Sequence, residues 1–359
     1  MRWVYSRIQH PDHCRRASCR AARRIERGAA VRDHQLVHAI VNPAAGNGAS
    51  GRSWPAVEQQ LQAAGLTTRT YRTTARGDAT TFARQIASET TTDATLIAVG
   101  GDGTVNEVVN GLMQARDAAV ADGTLALMPN VRLATIPSGT GKDFARAVQT
   151  RTATAAIEAI QHGDTVRIDI GRARSVDAVS GAADSRYFAV FADGGLGAQA
   201  ADRINRSSKA LGAYATYAIG AVHAVSAFKP WEVAVDVDGV PLFGGRVAMV
   251  VCANTRTFAG GMLIAPQASL NDGLLDILIV KDVTRRTLLT SLMPRVYRGK
   301  HIGHPSVIWV RGSSVRVHCT AGMGGGVDGE VMGGTPLEID VVPRVLDVVC
   351  ASGALATHG

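Results

Sequence analysis

The densest chemical signal in the chain is the run Gly100-Gly101-Asp102-Gly103-Thr104. It follows an apolar segment at 94–99 and precedes a helical pattern. Glycines at such a junction let backbone N–H groups converge on an anion, and the helix N-terminus adds partial positive charge. Thr104 can cap that helix or donate to a phosphate. Asp102 is the odd member. A carboxylate inside a phosphate loop is repelled unless a cation or a proton transfer involves it. A plain strand-to-helix turn needs fewer turn formers than these.

A second loop has the same design: Ile136-Pro137-Ser138-Gly139-Thr140-Gly141-Lys142-Asp143 again ends a strand and opens a helix. It is not a Walker A loop, because Ile136 stands where a glycine is required and Asp143 follows the lysine. Asp143 also suits the first turn of a helix, where the dipole favours a carboxylate. A third loop, Asn42-Pro43-Ala44-Ala45-Gly46-Asn47-Gly48, follows an earlier strand. Loops at successive strand ends define one rim of a sheet, the edge where open α/β sheets bind ligands.

The second half of the chain offers two further candidates. In Ser269-Leu270-Asn271-Asp272-Gly273-Leu274, Asp272 either initiates a turn or joins nearby carbonyls around a hard cation. Asp328-Gly329-Glu330 follows a glycine run at 322–326, read here as flexible. A turn explains Asp328 and Gly329 but does not require Glu330, which can face the phosphate loops across a cleft. Histidines in HExxH or HxH spacing and a Gly-x-Ser-x-Gly elbow are absent from the sequence, so metallohydrolase and serine hydrolase chemistry lack support.

These residues need elements to position them. From residue 36 strand and helix patterns alternate: strands at 36–41, 68–71, 94–99 and 132–136, and helices at 54–64, 78–88, 104–114, 143–148 and 153–160. Such alternation predicts a parallel sheet covered on both faces. Strand-like runs dominate from about 165, at 166–170, 187–191, 232–237, 246–252, 274–280, 315–319 and 337–342, with helices at about 211–228 and 284–296. The chain thus divides into a basic tail at 1–35, an α/β domain at 36–163, an antiparallel β-sandwich at 164–342, and a C-terminal segment at 343–359 that can return to the first domain.

The chain has 359 residues, 46% hydrophobic and 19% charged, with net charge +8. Such a chain builds real cores and is not disordered or collagenous. Residues 1–35 hold nine Arg against three acidic residues, so most of the excess charge sits in the tail. The body is not a nucleic-acid binder. The tail carries no folding signal and no secretory h-region. It reads as a solvated extension, a polyanion or membrane contact, or sequence upstream of the true start. The cysteines at 14, 19, 252, 319 and 350 lack metal spacing and suit reduced thiols in a cytoplasm. The charge-free stretch 211–228 is a buried or membrane-facing helix rather than a span.

With Thr73 followed by Gly77-Asp78-Ala79, Gly100 through Gly111, Pro137 through Arg146, Gly260-Gly261-Met262 with Ala265-Pro266, Asp272-Gly273 and Asp328-Gly329-Glu330, the chain resembles the diacylglycerol kinase catalytic family, which includes bacterial lipid kinases and sphingosine kinases. The resemblance covers about 36–350. It implies an α/β nucleotide domain like those of NAD kinase and phosphofructokinase, followed by a β-sandwich. It implies ATP held by Asn42, Thr73, Gly100, Gly101, Asp102, Gly103, Thr104, Val105, Asn106, Glu107, Gly139, Thr140 and Gly141. It further implies magnesium at Ser269, Asp272 and Leu274, a magnesium-linked Asp143, and Glu330 with Asp102 as the catalytic carboxylates. The implied acceptor is a lipid hydroxyl, met by a cytoplasmic enzyme peripherally associated with a membrane; a homodimer stays open. Lys142 departs from the family, which usually has Asn there. Two other readings stand beside it: an NAD kinase-like enzyme with a soluble acceptor, and a non-catalytic nucleotide-binding regulator.

Overall fold

A computed structural model describes residues 35–125, 131–139, 141–176, 183–200, 229–319 and 322–354. The basic tail up to residue 34, the stretch 211–228 and Thr140 lie outside the described residues.

The α/β half is built on β1 (Gln35–Val41), β2 (Leu66–Arg72), β3 (Ala94–Gly100) and β4 (Val131–Pro137), paired in parallel in the order β2-β1-β3-β4. Every residue of β3 is buried, as a central parallel strand demands. Helices α1 (Ala49–Ala63) and α5 (Ala153–His162) cover one face through Trp54, Leu61 and Ile157. Helices α2 (Asp78–Glu89) and α3 (Asp102–Ala121) belong to the core on the other, through Ile86, Val108 and Leu112. α3 runs past the predicted end at 114 because buried Ala115 and Ala119 continue its apolar face. A short α4 (Asp143–Ala147) follows β4. Strand order reverses between β1 and β3, so the ends of these strands form the crevice where an α/β sheet holds a ligand.

The β half comprises β5 (Asp164–Val176), β6 (Ala183–Phe188), β7 (Phe191–Gly195), β8 (Trp231–Val237), β9 (Val240–Ala253), β10 (Leu275–Lys281), β11 (Val307–Gly312), β12 (Ser314–Cys319), β13 (Gly324–Val327), β14 (Glu330–Gly334) and β15 (Leu337–Cys350). Pairing among these strands is antiparallel, around a core that includes Phe188, Val235, Val250, Ile277, Val315 and Ile339. β15 pairs antiparallel with β5 and β12, and its Val348 lies parallel to Leu133 of β4, joining the halves in one sheet. A helical segment, α6 (285–296), connects β10 to β11 and contains a π-helical turn at Leu288–Leu292 just before Pro294. Proline supplies no N–H to the helix ladder, and a wider turn is a common local answer.

Two expectations are corrected here. The run 187–191 is not one strand. It breaks between β6 and β7, because the N–H groups of Ala189, Val190 and Phe191 turn onto the Asp328 carboxylate. The glycine run before Asp328 is not a flexible loop either. Gly325 and Gly326 lie in β13, paired with Gly194 and Asp193 of β7. A Cβ at Gly326 would stand 2.6 Å from Asp193 Oδ1, so glycine is needed for strands to approach this closely.

Candidate active site

The loops after β1, β3 and β4 meet. Asn42 Nδ2 donates to Thr104 Oγ1 at 3.1 Å, and Ser138 N donates to the Gly100 carbonyl at 2.8 Å. Gly139 packs so tightly on the phosphate-type loop that a Cβ there would lie 2.6 Å from Gly101 Cα. A fourth loop, 73–77, closes the rim. Asp78 fixes it by accepting from Thr74 N at 2.7 Å and Ala75 N at 2.9 Å, bonds that hold its carboxyl below the usual range. Glu107 accepts from Ala79 N at 3.2 Å and so ties α3 to the start of α2.

Two carboxylates stand at this rim. Asp102 Oδ1 accepts from Phe144 N at 3.2 Å, and a Cβ at Gly141 would collide with its other oxygen. Asp143 is buried and accepts from Arg146 Nη1 at 2.6 Å and Gly260 N at 2.7 Å. Burial raises the Asp102 pKa. Burial and then the nearby Asp102 charge push Asp143 up to about 6. Adjacent carboxylates this reluctant to be charged suit a divalent cation, which offsets both charges at once.

Glu330 reaches the same place from the β half. It opens β14 after a two-residue turn in which Asp328 and Gly329 both have positive φ, at 48° and 84°. Asp328 locks the turn. Its carboxylate accepts from the N–H groups of Ala189, Val190 and Phe191 at 3.0, 3.0 and 2.9 Å and from Asn106 Nδ2 at 2.8 Å. Burial nevertheless pushes it up to about 6. The result places Glu330 Oε1 3.8 Å from where a Gly103 Cβ would sit, while Oε2 accepts from the Arg76 guanidinium of the 73–77 loop.

Asn42, Thr73, Gly101, Asp102, Gly103, Thr104, Asn106, Glu107, Gly139, Gly141, Asp143 and Glu330 all line one cleft of about 1660 Å³. Gly100 and Val105 do not: the Gly100 carbonyl accepts from Ser138 N, and Val105 has its side chain buried in the core and its N–H donating to the Gly101 carbonyl at 3.1 Å. Asn106 spends its amide on Asp328 and the Tyr187 carbonyl and serves as a joint between the halves. The sequence reading missed Arg76, Arg146 and Asp193, and it missed the other end of the cleft. There the walls turn apolar, with Phe191, Met249, Phe258, Met262, Leu288 and Leu292. Asp193 sits at the margin of this apolar region, buried, with Oδ2 unpartnered, and burial pushes it up to about 7. A basic side chain one residue before Gly77-Asp78 and a carboxylate between apolar Ala192 and Gly194 leave no spacing signal.

Residues 36–173 match the diacylglycerol kinase catalytic domain, and residues 189–350 match the YegS C-terminal NAD kinase beta sandwich-like domain. The diacylglycerol kinase of Bacillus subtilis (strain 168) is 30% identical over 310 residues, which are 86% of this chain and 94% of its own. That of Staphylococcus epidermidis (strain ATCC 12228 / FDA PCI 1200) is 32% identical over 299 residues, 83% of this chain and 86% of its own. The chain belongs to the diacylglycerol kinase family. It is accordingly a phosphotransferase with an alcohol group as acceptor. A crystal structure of a diacylglycerol kinase from Bacillus anthracis str. Sterne shares the fold, with a TM-score of 0.60 at 20% identity over 89% of this chain and 98% of that one.

Lys142, in the family's usual Asn position, adopts a left-handed conformation with φ 54°, one that Asn tolerates better than Lys. Its Nζ points to the Arg151 carbonyl at 3.5 Å, and it is Arg146 that pairs with Asp143. The Ser269–Leu274 segment lies apart from the cleft lining. Asp272 accepts from Leu274 N at 3.1 Å and pairs with Arg311, while Ser269 Oγ donates to Asn271 Oδ1 at 3.0 Å. Asp169 of β5 accepts from Gly273 N at 2.6 Å and anchors the turn. Asp272 and the Ser269 and Leu274 carbonyls are the donors that the resemblance implies for a structural magnesium, which would take the place of the Arg311 guanidinium at Asp272.

Proposed function

We propose that this chain is an ATP-dependent lipid kinase that transfers the γ-phosphate to the hydroxyl of diacylglycerol or a related lipid alcohol at a membrane surface. One observation carries the reading: a single cleft has anion-type loops at one end, apolar walls at the other, and a carboxylate beside the loops that arrives from the β half. The names of the relatives support the choice of acceptor.

The chemistry follows from placement. Phosphoryl transfer needs a positioned phosphate, neutralised charge and an oriented alcohol. The backbone N–H groups of Gly101, Asp102 and Gly103 at the start of α3 receive the phosphates, with Asn42, Thr73, Glu107 and Thr140 around the nucleotide. Asp102 and Asp143 are the residues to hold magnesium, which would neutralise phosphate charge there. Glu330 accepts the proton of the acceptor hydroxyl, and the apolar end receives hydrocarbon. Among the described residues no helix is long and apolar enough to cross a membrane.

The test is incubation with γ-labelled ATP, magnesium and either pure diacylglycerol or a total lipid extract. Label in an extractable lipid phosphate is expected. Label passing only to a water-soluble alcohol overturns the reading.

A further inference from the structure

The apolar end of the cleft opens beside α6. Leu288, Leu292 and Val296, four residues apart, are buried and hold this helix on the β half. Leu289 and Tyr297 do two things at once: they line the cleft, and they are 39% and 50% exposed. The lining therefore continues out of the cleft onto the surface. The same stretch of chain carries Arg285, Arg286, Arg295, Arg298 and Lys300, and the sequence has no acidic residue between Asp282 and Asp328. Exposed aromatic and aliphatic side chains in a segment with five basic residues and no acidic one are the composition of a helix that rests in a bilayer interface.

We propose that α6 docks the mouth of the cleft on an anionic lipid surface, with Leu289 and Tyr297 entering the boundary between headgroups and acyl chains and the basic residues meeting lipid phosphates. This rests on the lipid-kinase reading of the cleft. A bilayer is favoured over a protein partner because the exposed apolar side chains are continuous with a pocket that must admit hydrocarbon, and a protein seated there would close it. Two apolar side chains make a weak anchor, so the contact is reversible and depends on charge.

Flotation of the full chain with vesicles tests this without requiring turnover. The wild type should float with phosphatidylcholine vesicles doped with phosphatidylglycerol, stay behind with phosphatidylcholine alone, and be released by salt. Neither Arg286 nor Arg298 lines the cleft. Each basic residue near an anionic surface contributes about fivefold, so R286Q/R298Q should bind anionic vesicles about 20-fold more weakly. The double variant should keep wild-type activity on short-chain diacylglycerol dispersed in neutral detergent. Replacing Arg15 and Arg16 of the tail by Gln should weaken flotation less than the α6 pair does. Equal flotation of wild type and R286Q/R298Q, or binding indifferent to phosphatidylglycerol, overturns the proposal. Charge-dependent flotation lost in R286Q/R298Q, with no lipid alcohol phosphorylated, would uphold the docking face and sink the kinase reading instead.

Discussion

The two sides of the cleft are made differently. The rim of the α/β half comes from loops that each follow a strand directly, and the neighbouring strands of one parallel sheet bring them together: Asn42 to Thr104, Gly139 on Gly101, with Asp78 fixing the 73–77 loop locally. The opposite side is assembled from distant segments. Glu330 stands over Gly103 because Asp328 collects three backbone N–H groups from 189–191 and the amide of Asn106. The difference teaches that nucleotide-type chemistry here is a property of short motifs, whereas acceptor-type chemistry depends on the packing of one half against the other. Asn106 is where they meet.

The sharpest way to break this contrast is to remove the lock on the β side. Asp328→Ala leaves three backbone donors and an amide without their acceptor in a buried site. It should cost about 3–5 kcal/mol of stability and abolish turnover together with it. A melting curve checks it, and an unshifted midpoint would show that the hairpin holds itself. Asp102→Asn probes the rim alone. The fold should survive, with nucleotide-dependent turnover reduced about 100-fold or more. Wild-type turnover in a folded variant would remove Asp102 from the account.

Asp193 gives the β half a pH dependence of its own. Its folded pKa of about 7 lies above the ordinary carboxylate value of 3.8, so the folded state keeps a proton that the unfolded chain has lost. Its contribution is therefore full below pH 3.8 and declines as pH rises to about 7, by on the order of 4 kcal/mol. Asp193→Asn should flatten that decline in a denaturant series between pH 4 and 8. An unchanged pH slope would mean that Asp193 is not the group responsible. The smallest effect is expected at the rim: Lys142→Asn should relieve a left-handed residue and stabilise by about 1 kcal/mol while preserving activity. Destabilisation would mean that the lysine side chain supports the loop.

The two sides also differ in how far the sequence revealed them. Strand ends, the three rim loops and the antiparallel character of the β half follow from hydrophobic period and turn residues, which act over a few positions. The glycine run before Asp328 misled, because its strand pairing is set by β7 and by the lack of room beside Asp193, neither of which is local. Asn106 and Val105 looked alike as loop-adjacent residues. Only helix phase and a partner 222 residues away turn one to Asp328 and the other into the core.

Glu330→Gln tests the central claim most directly, with turnover on diacylglycerol and affinity for ATP measured on the same protein. Glu330 faces the loop from the β half and is proposed to act on the acceptor hydroxyl, so turnover should fall about 100-fold or more with ATP affinity nearly unchanged. Loss of ATP binding with normal turnover per bound ATP would contradict it and would place Glu330 with the nucleotide.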